Sequence, residues 1–262
     1  MFKKLHYKVR GLPTPLAGLA LGIASLGWCL ENALPLAGWG QTTGAVIGLV
    51  MIGFLVLRFT AHHDTLWADL KHPVVGSIVP TFAMCLMVVS KTAGHWMPEA
   101  GVVLWCAAVL LHLAALGIFV VTRLQEPRLE LMVPSWFVPP IGIVVADVTF
   151  PEVAVLLPFA KILFWMGAAA YAVLLPLMIY RLFFLPEVPN GAKPTIAILA
   201  APASLLLAGY LTVEKDPSLL LVALLFGERL DIFVADGVER VLAPVLVGAA
   251  GLGHSVSLVV AF

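Results

Sequence analysis

The sequence predicts an all-α integral membrane protein made of repeated helical hairpins around a central pore. Three observations predict it. Hydrophobic residues make up 61% of the chain and charged residues 11%, with a mean hydropathy of +1.05, whereas globular domains sit nearer about 45–50% and about 25%. The apolar runs are long and unbroken rather than short alternating segments, which points to helices and away from a barrel. Pro13, Pro73, Pro134 and Pro194 stand 60, 61 and 60 residues apart, each opening such a run. A fixed period marks a copied unit, and that length holds two spans of roughly 20 residues with short loops.

The elements follow in order. Pro15–Leu34 comes after a basic start, Met1–Arg10; it is long enough to span and belongs to the repeat, so it is read as a span and not as a cleavable leader. Thr43–Ala61 completes the first hairpin. Val74–Ser90 with Gly101–Val121 forms the second, and Ser135–Thr149 with Leu157–Phe184 the third. Thr195–Val213 opens a fourth, whose second member, Pro217–Gly227, is short. The polar loops His62–His72, Arg123–Glu130 and Leu185–Lys193 fall on one side. Glu31–Gln41, Lys91–Glu99, Phe150–Leu156 and Glu214–Asp216 fall on the other. With the N-terminus inside, the inner segments hold twelve Lys and Arg, against Lys91, Lys161 and Lys215 outside. That bias places the N-terminus of this multi-pass chain in the cytoplasm; the membrane expected is the inner membrane.

Odd and even spans differ. Each odd span starts at a proline, where a missing N–H is tolerated. Three carry deeper prolines: Pro80, Pro139 with Pro140, and Pro202. An interior proline frees backbone groups, which in a membrane must be covered by protein or face water. The odd spans also carry small-residue stripes at helical spacing: Gly18, Gly22, Ser25, Cys29; Gly76, Pro80, Ala83; Ser135, Pro139, Gly142, Ala146; and Ala197, Ala201, Ser204, Ala208. Tight packing and a pore wall both fit any one stripe. Four stripes in register on alternate helices favour a shared axis, with odd spans inside and the Leu-, Val-, Phe- and Ile-rich even spans outside. The pore-lining candidates are Gly18, Gly22, Pro80, Phe82, Pro139, Pro140, Gly142, Pro202 and Ser204. Phe82, Trp136 and Phe137 fit a constriction, though aromatic packing is the favoured reading of each.

No catalytic set is visible, so the chain does not read as an enzyme, and no cofactor is implied. Zero net charge and the absence of a motif argue against nucleic acid. Cys29, Cys85 and Cys106 read as small buried hydrophobes. His62, His63 and Asp64 lack ligand spacing for a metal. His112, alone in mid-span, reads as an interhelix hydrogen-bonding group. Asp147 and Lys161 flank an outer loop; pairing at the interface and solvation both fit, and solvation is the favoured reading. The central parts of the odd spans carry no Lys, Arg, Asp or Glu. Coupled carriers usually display intramembrane carboxylates, so an uncharged path selecting by diameter and dipoles is the favoured expectation.

Four segments carry a resemblance: LPTPLAGLALGIASLGWCLEN (Leu12–Asn32), HPVVGSIVPTFAMCLMV (His72–Val88), PSWFVPPIGIVVADVTFP (Pro134–Pro151) and TIAILAAPASLLLAGYL (Thr195–Leu211). In this order and spacing they resemble the tellurite-resistance/dicarboxylate transporter (TDT) family, to which the plant slow-type anion channels belong. The resemblance implies ten helices in five hairpins, with five kinked inner helices around a pore. It implies passage of small anions (C4-dicarboxylate, tellurite or inorganic anions) across the lipid bilayer, and a homotrimer. It also implies that Pro80, Pro139 and Pro202 sit at pore-lining kinks. A coupled carrier exporting an organic acid such as malate or sulfite is the alternative, and a truncated non-functional remnant the third.

The resemblance is read as stopping near Gly227, dividing the chain into a pore domain, 1–227, and an anomalous tail, 228–262. Glu228, Arg229 and Asp231 would fall near mid-membrane in an eighth span, at about 2.5–3.5 kcal/mol per central charge. About seven to nine helices are therefore expected, with the fourth hairpin incomplete, through a frameshift, a truncation or a genuine variant. Such a chain is expected to show seven well-formed helices and a poorly packed tail.

Overall fold

The computed structural model describes residues 10–225, and within them every regular element is helical. The spans are α1 (Leu16–Ala33), α2 (Trp39–Ala61), α4 (Val75–Trp96), α5 (Pro98–Leu124), α7 (Ala154–Phe184) and α8 (Asn190–Val213). The shorter α6 (Pro134–Val148) lies between α5 and α7. These are the seven expected spans. Two elements were not expected: a 3-10 turn at Leu129–Leu131 and α3 (His63–Lys71), the latter in a segment read as a polar loop. Its Leu70 is buried while Trp67 stays exposed, and Asp64 in its first turn and Lys71 in its last complement the helix dipole. A short amphipathic helix along the end of the bundle has too few apolar residues to stand out in hydropathy. Helical turns resume at residues 219–225. The expectations for the tail fall on residues outside the described range.

The inner spans do not kink as continuous helices. In α4 the turn Val75–Ile78 is followed by Val79 and Pro80, and a fresh helix then runs Thr81–Trp96. In α6 the backbone passes through 3-10 Pro134–Phe137, α Val138–Ile141, 3-10 Gly142–Val144 and α Val145–Val148. In α8 a 3-10 stretch, Asn190–Ala200, precedes Ala201–Val213. Pro80, Pro139 and Pro202 thus each stand at the start of an α segment, where no N–H is required. Upstream lie 3-10 stretches in α6 and α8 and a short α turn in α4, and carbonyls left without an N–H partner at these breaks need other donors.

Consecutive inner spans are neighbours, α1 on α4, α4 on α6 and α6 on α8, while α2, α5 and α7 cover them from outside. The outer spans expose large apolar side chains, among them Val46, Phe54, Val103, Leu110, Val173 and Phe183, as a lipid-facing surface must. Glycine allows the close crossings. A Cβ on Gly27 of α1 would lie 2.6 Å from the Gly40 carbonyl of α2, and one on Gly101 of α5 would lie 2.4 Å from the Gly94 Cα of α4. Close backbone approach through small residues is how helices associate where lipid removes the hydrophobic drive.

One end of the bundle is held by three arginines, one from each outer span. Arg58 of α2 donates to Thr14 Oγ1 at 2.6 Å, just ahead of α1, and pairs with Asp69 of α3 at 2.9 Å. Arg123 of α5 donates to the Lys71 carbonyl at 2.6 Å, ahead of α4, with its guanidinium over the Phe119 and Trp136 rings. Arg181 of α7 donates to the Met132 carbonyl at 2.7 Å, ahead of α6. In each case the end of an outer span grips the chain where it enters an inner one. Arg58 and Arg181 are buried. A guanidinium suits this place because its fixed fork of donors satisfies buried backbone oxygens.

Candidate functional site

At the other end of the bundle the inner spans separate around a cavity of about 580 Å³. Ser25, Trp28 and Asn32 of α1, Met84, Val88 and Lys91 of α4, Val145 and Thr149 at the end of α6, and Ser204, Ala208 and Thr212 of α8 line it. All its lining residues come from inner spans or their immediate ends, from the middle of the bundle to the end away from the arginine clamps. The wall is mainly apolar, with hydroxyls from Ser25, Thr149, Ser204 and Thr212 and the Asn32 amide. Lys91 carries the single formal charge among the described residues that border the cavity.

Lys91 was read as the start of an outer loop, but α4 continues to Trp96 and places it in the helix. Its ammonium donates to the Phe150 carbonyl at 3.1 Å and lies 3.4 Å from the Glu152 carboxylate. Sequence reasoning ended this span at the first charge. The small-residue and apolar positions that continue one helical turn further, Ala93 and Gly94 ahead of Gly101, were the available signal.

Of the nine sequence candidates, Ser204 borders the cavity. Pro80, Pro139, Gly142 and Pro202 are buried in the bundle below it, with Phe82 and Pro140 half-buried. Gly142 acts on the wall at one remove: a Cβ there would lie 2.7 Å from Met84 Sδ, so its bare backbone seats a cavity-lining side chain. Gly18 is half-buried facing Thr81, and Gly22 is exposed with open space around it. On α1 and α8 the cavity uses the outer ends of the predicted stripes: Ser25 and Cys29, then Ala201, Ser204 and Ala208. On α4 and α6 the lining continues past the predicted small residues at helical spacing, Met84 and Val88 four and eight residues after Pro80, Val145 and Thr149 three and seven after Gly142. Trp136 donates to the Pro73 carbonyl and meets Phe119 edge-on, and Phe137 packs on Tyr171, so these aromatics bind the spans together.

His112 makes the expected interhelix bond. Fully buried, its Nε2 lies 2.8 Å from the Pro139 carbonyl, one of the backbone groups at the broken α6. Asp147 and Lys161 correct the expectation of solvated flanks. Lys161 is paired with Glu214 at 2.8 Å, and this hydrogen bond holds the Glu214 carboxyl below the usual carboxylate range. Asp147 is completely buried between α6 and α8, beside Gly209, and neither carboxylate oxygen has a hydrogen-bond partner among the described residues. It occupies the turn whose neighbours Val145, Val148 and Thr149 form the cavity wall. Among the described residues no three His, Cys, Asp or Glu side chains are grouped to hold a metal ion.

Residues 15–260 match the sequence profile of the voltage-dependent anion channel family, and the chain belongs to that family. The match continues past Gly227, so the family pattern extends into the segment that the sequence reading set apart. Two proteins of Methanocaldococcus jannaschii, each described as an uncharacterized transporter, are similar. One is 29% identical over 164 residues, covering 56% of this chain and 46% of the relative. The other is 26% identical over 170 residues, covering 58% and 48%. The chain spans about half the length of these curated relatives.

Proposed function

We propose that this protein forms a channel-like passage for small anions, running along the axis between its inner spans. The observation that carries the reading is the cavity itself, walled by all four inner spans and by none of the outer ones. No acidic side chain borders it among the described residues, while hydroxyl, amide and ammonium donors do. Such a wall offers an anion partial replacement for lost hydration without a site deep enough to trap it. The breaks at Pro80, Pro139 and Pro202 prolong the axis toward the arginine end. The substrates proposed are C4-dicarboxylate, tellurite or small inorganic anions. The arginine end is assigned to the cytoplasm by the distribution of Lys and Arg, in a homotrimer in the inner membrane.

A second reading, a carrier moving a proton with its anion, is favoured by Asp147. A buried carboxyl beside the pathway is the type of group that proton-coupled transporters use, and sequence reasoning had placed it in water. One experiment separates the two: purified protein in liposomes, assayed for currents across a voltage range with chloride, nitrate, malate and tellurite. Voltage-driven anion current without a pH gradient is expected. Flux that requires a proton gradient would select the carrier, and no flux of any of these anions would overturn both.

A further inference from the structure

We propose that Lys91 is the anion-binding group of the cavity and that Glu152 is its exchangeable counter-ion, displaced when an anion enters from that end. The inference rests on the reading of the cavity as an anion path and adds where along it the anion is first held.

The geometry around the ammonium is asymmetric. Lys91 is fixed from three directions: its helix, the cavity wall and the Phe150 carbonyl that accepts one of its protons at 3.1 Å. A carbonyl orients an ammonium but leaves its charge uncompensated. The compensating carboxylate, Glu152, lies at 3.4 Å with its side chain 82% exposed, against 30% for Lys91. A solvated carboxylate on a fixed cation is weakly held and screened by salt. Its backbone is also unusual: Glu152 has φ 61°, in the left-handed region that non-glycine residues seldom adopt. The α6–α7 turn therefore brings an exposed carboxylate to the ammonium of a residue that borders the cavity. An ammonium has three donors, so phosphate-like, nitrate or carboxylate oxygens can replace Glu152 without disturbing the Phe150 bond.

A lysine that merely staples α4 to the α6–α7 turn would show the same two contacts, and the test must separate the two roles. The full chain is reconstituted with a single orientation, and nitrate and malate flux is measured against concentration from the Lys91 end. Lys91→Gln should raise the half-saturating concentration about threefold or more, with a larger shift for dianionic malate than for nitrate. Lys91→Arg should restore it. Glu152→Gln should shift it the other way, since the competing carboxylate is gone. A staple would change thermal stability in Lys91→Gln and leave the concentration dependence alone in every variant, which overturns the proposal. If Lys91→Gln does not fold, Glu152→Gln decides: an unchanged half-saturating concentration refutes the exchange. Wild-type protein that passes neither anion refutes the underlying anion reading, whereas wild-type flux with unshifted variants refutes this inference alone.

Discussion

Adding one methyl at Gly209 should destabilise the protein, and removing two methyls from Val144 should undo the effect. Val144 lies in the 3-10 turn of α6, fully buried. Its Cγ1 would be 2.4 Å from a Cβ on Gly209 of α8, and its Cγ2 would be 2.4 Å from a Cβ on Gly167 of α7. Ordinary contact begins near 3.4 Å, so Gly209→Ala requires α6 and α8 to separate by about 1 Å or Val144 to turn. Turning only drives a methyl onto Gly167, and the helices must give. Overpacking of this kind costs about 1–3 kcal/mol, or roughly 2–4 °C of Tm per kcal/mol for a chain of this size. Val144→Ala alone should cost about 1–3 kcal/mol through lost packing. In the double variant the new methyl occupies vacated space, so the two effects should fail to add by about 1–3 kcal/mol. Thermal unfolding of detergent-solubilised protein, followed by circular dichroism, reads all three. Gly53→Ala serves as control, because open space surrounds that position. A wild-type Tm for Gly209→Ala, or strict additivity in the double variant, would refute the clamp.

Two further outcomes follow from the same geometry. His112→Phe should leave the Pro139 carbonyl unpaired in the bundle and lower stability by about 1–3 kcal/mol; a Tm equal to wild type would mean the bond contributes nothing. In a chain whose Cys29, Cys85 and Cys106 are replaced by Ala, Ser25→Cys and Ser204→Cys should react with a membrane-impermeant thiol reagent. Leu110→Cys and Val173→Cys, on exposed apolar faces, should not, and equal protection of both pairs would show that water does not reach the cavity.

The sequence by itself determined the class of fold and the seven spans, because hydropathy is a property of each segment alone and a bilayer demands about 20 apolar residues per crossing. The 60-residue period and the even spans' bulky composition also told inner from outer, since lipid and protein neighbours impose different side chains. Tertiary structure decided what the inner faces do. On α4 and α6 the lining lies beyond the breaks, at Met84, Val88 and Val145 rather than at Pro80 and Pro139. Arg58, Arg123 and Arg181, legible only as positive charge at one end of the spans, proved to clamp segments about 44 to 52 residues away in sequence. Lys91 looked like a loop residue because a charge ends a hydropathy run, and Asp147 like a solvated end of its span, yet one lines the cavity and the other lies buried. A single sequence reports how well each residue suits lipid or water. Which partner satisfies a charge or a freed carbonyl is a contact between different hairpins, and only packing them together supplies it.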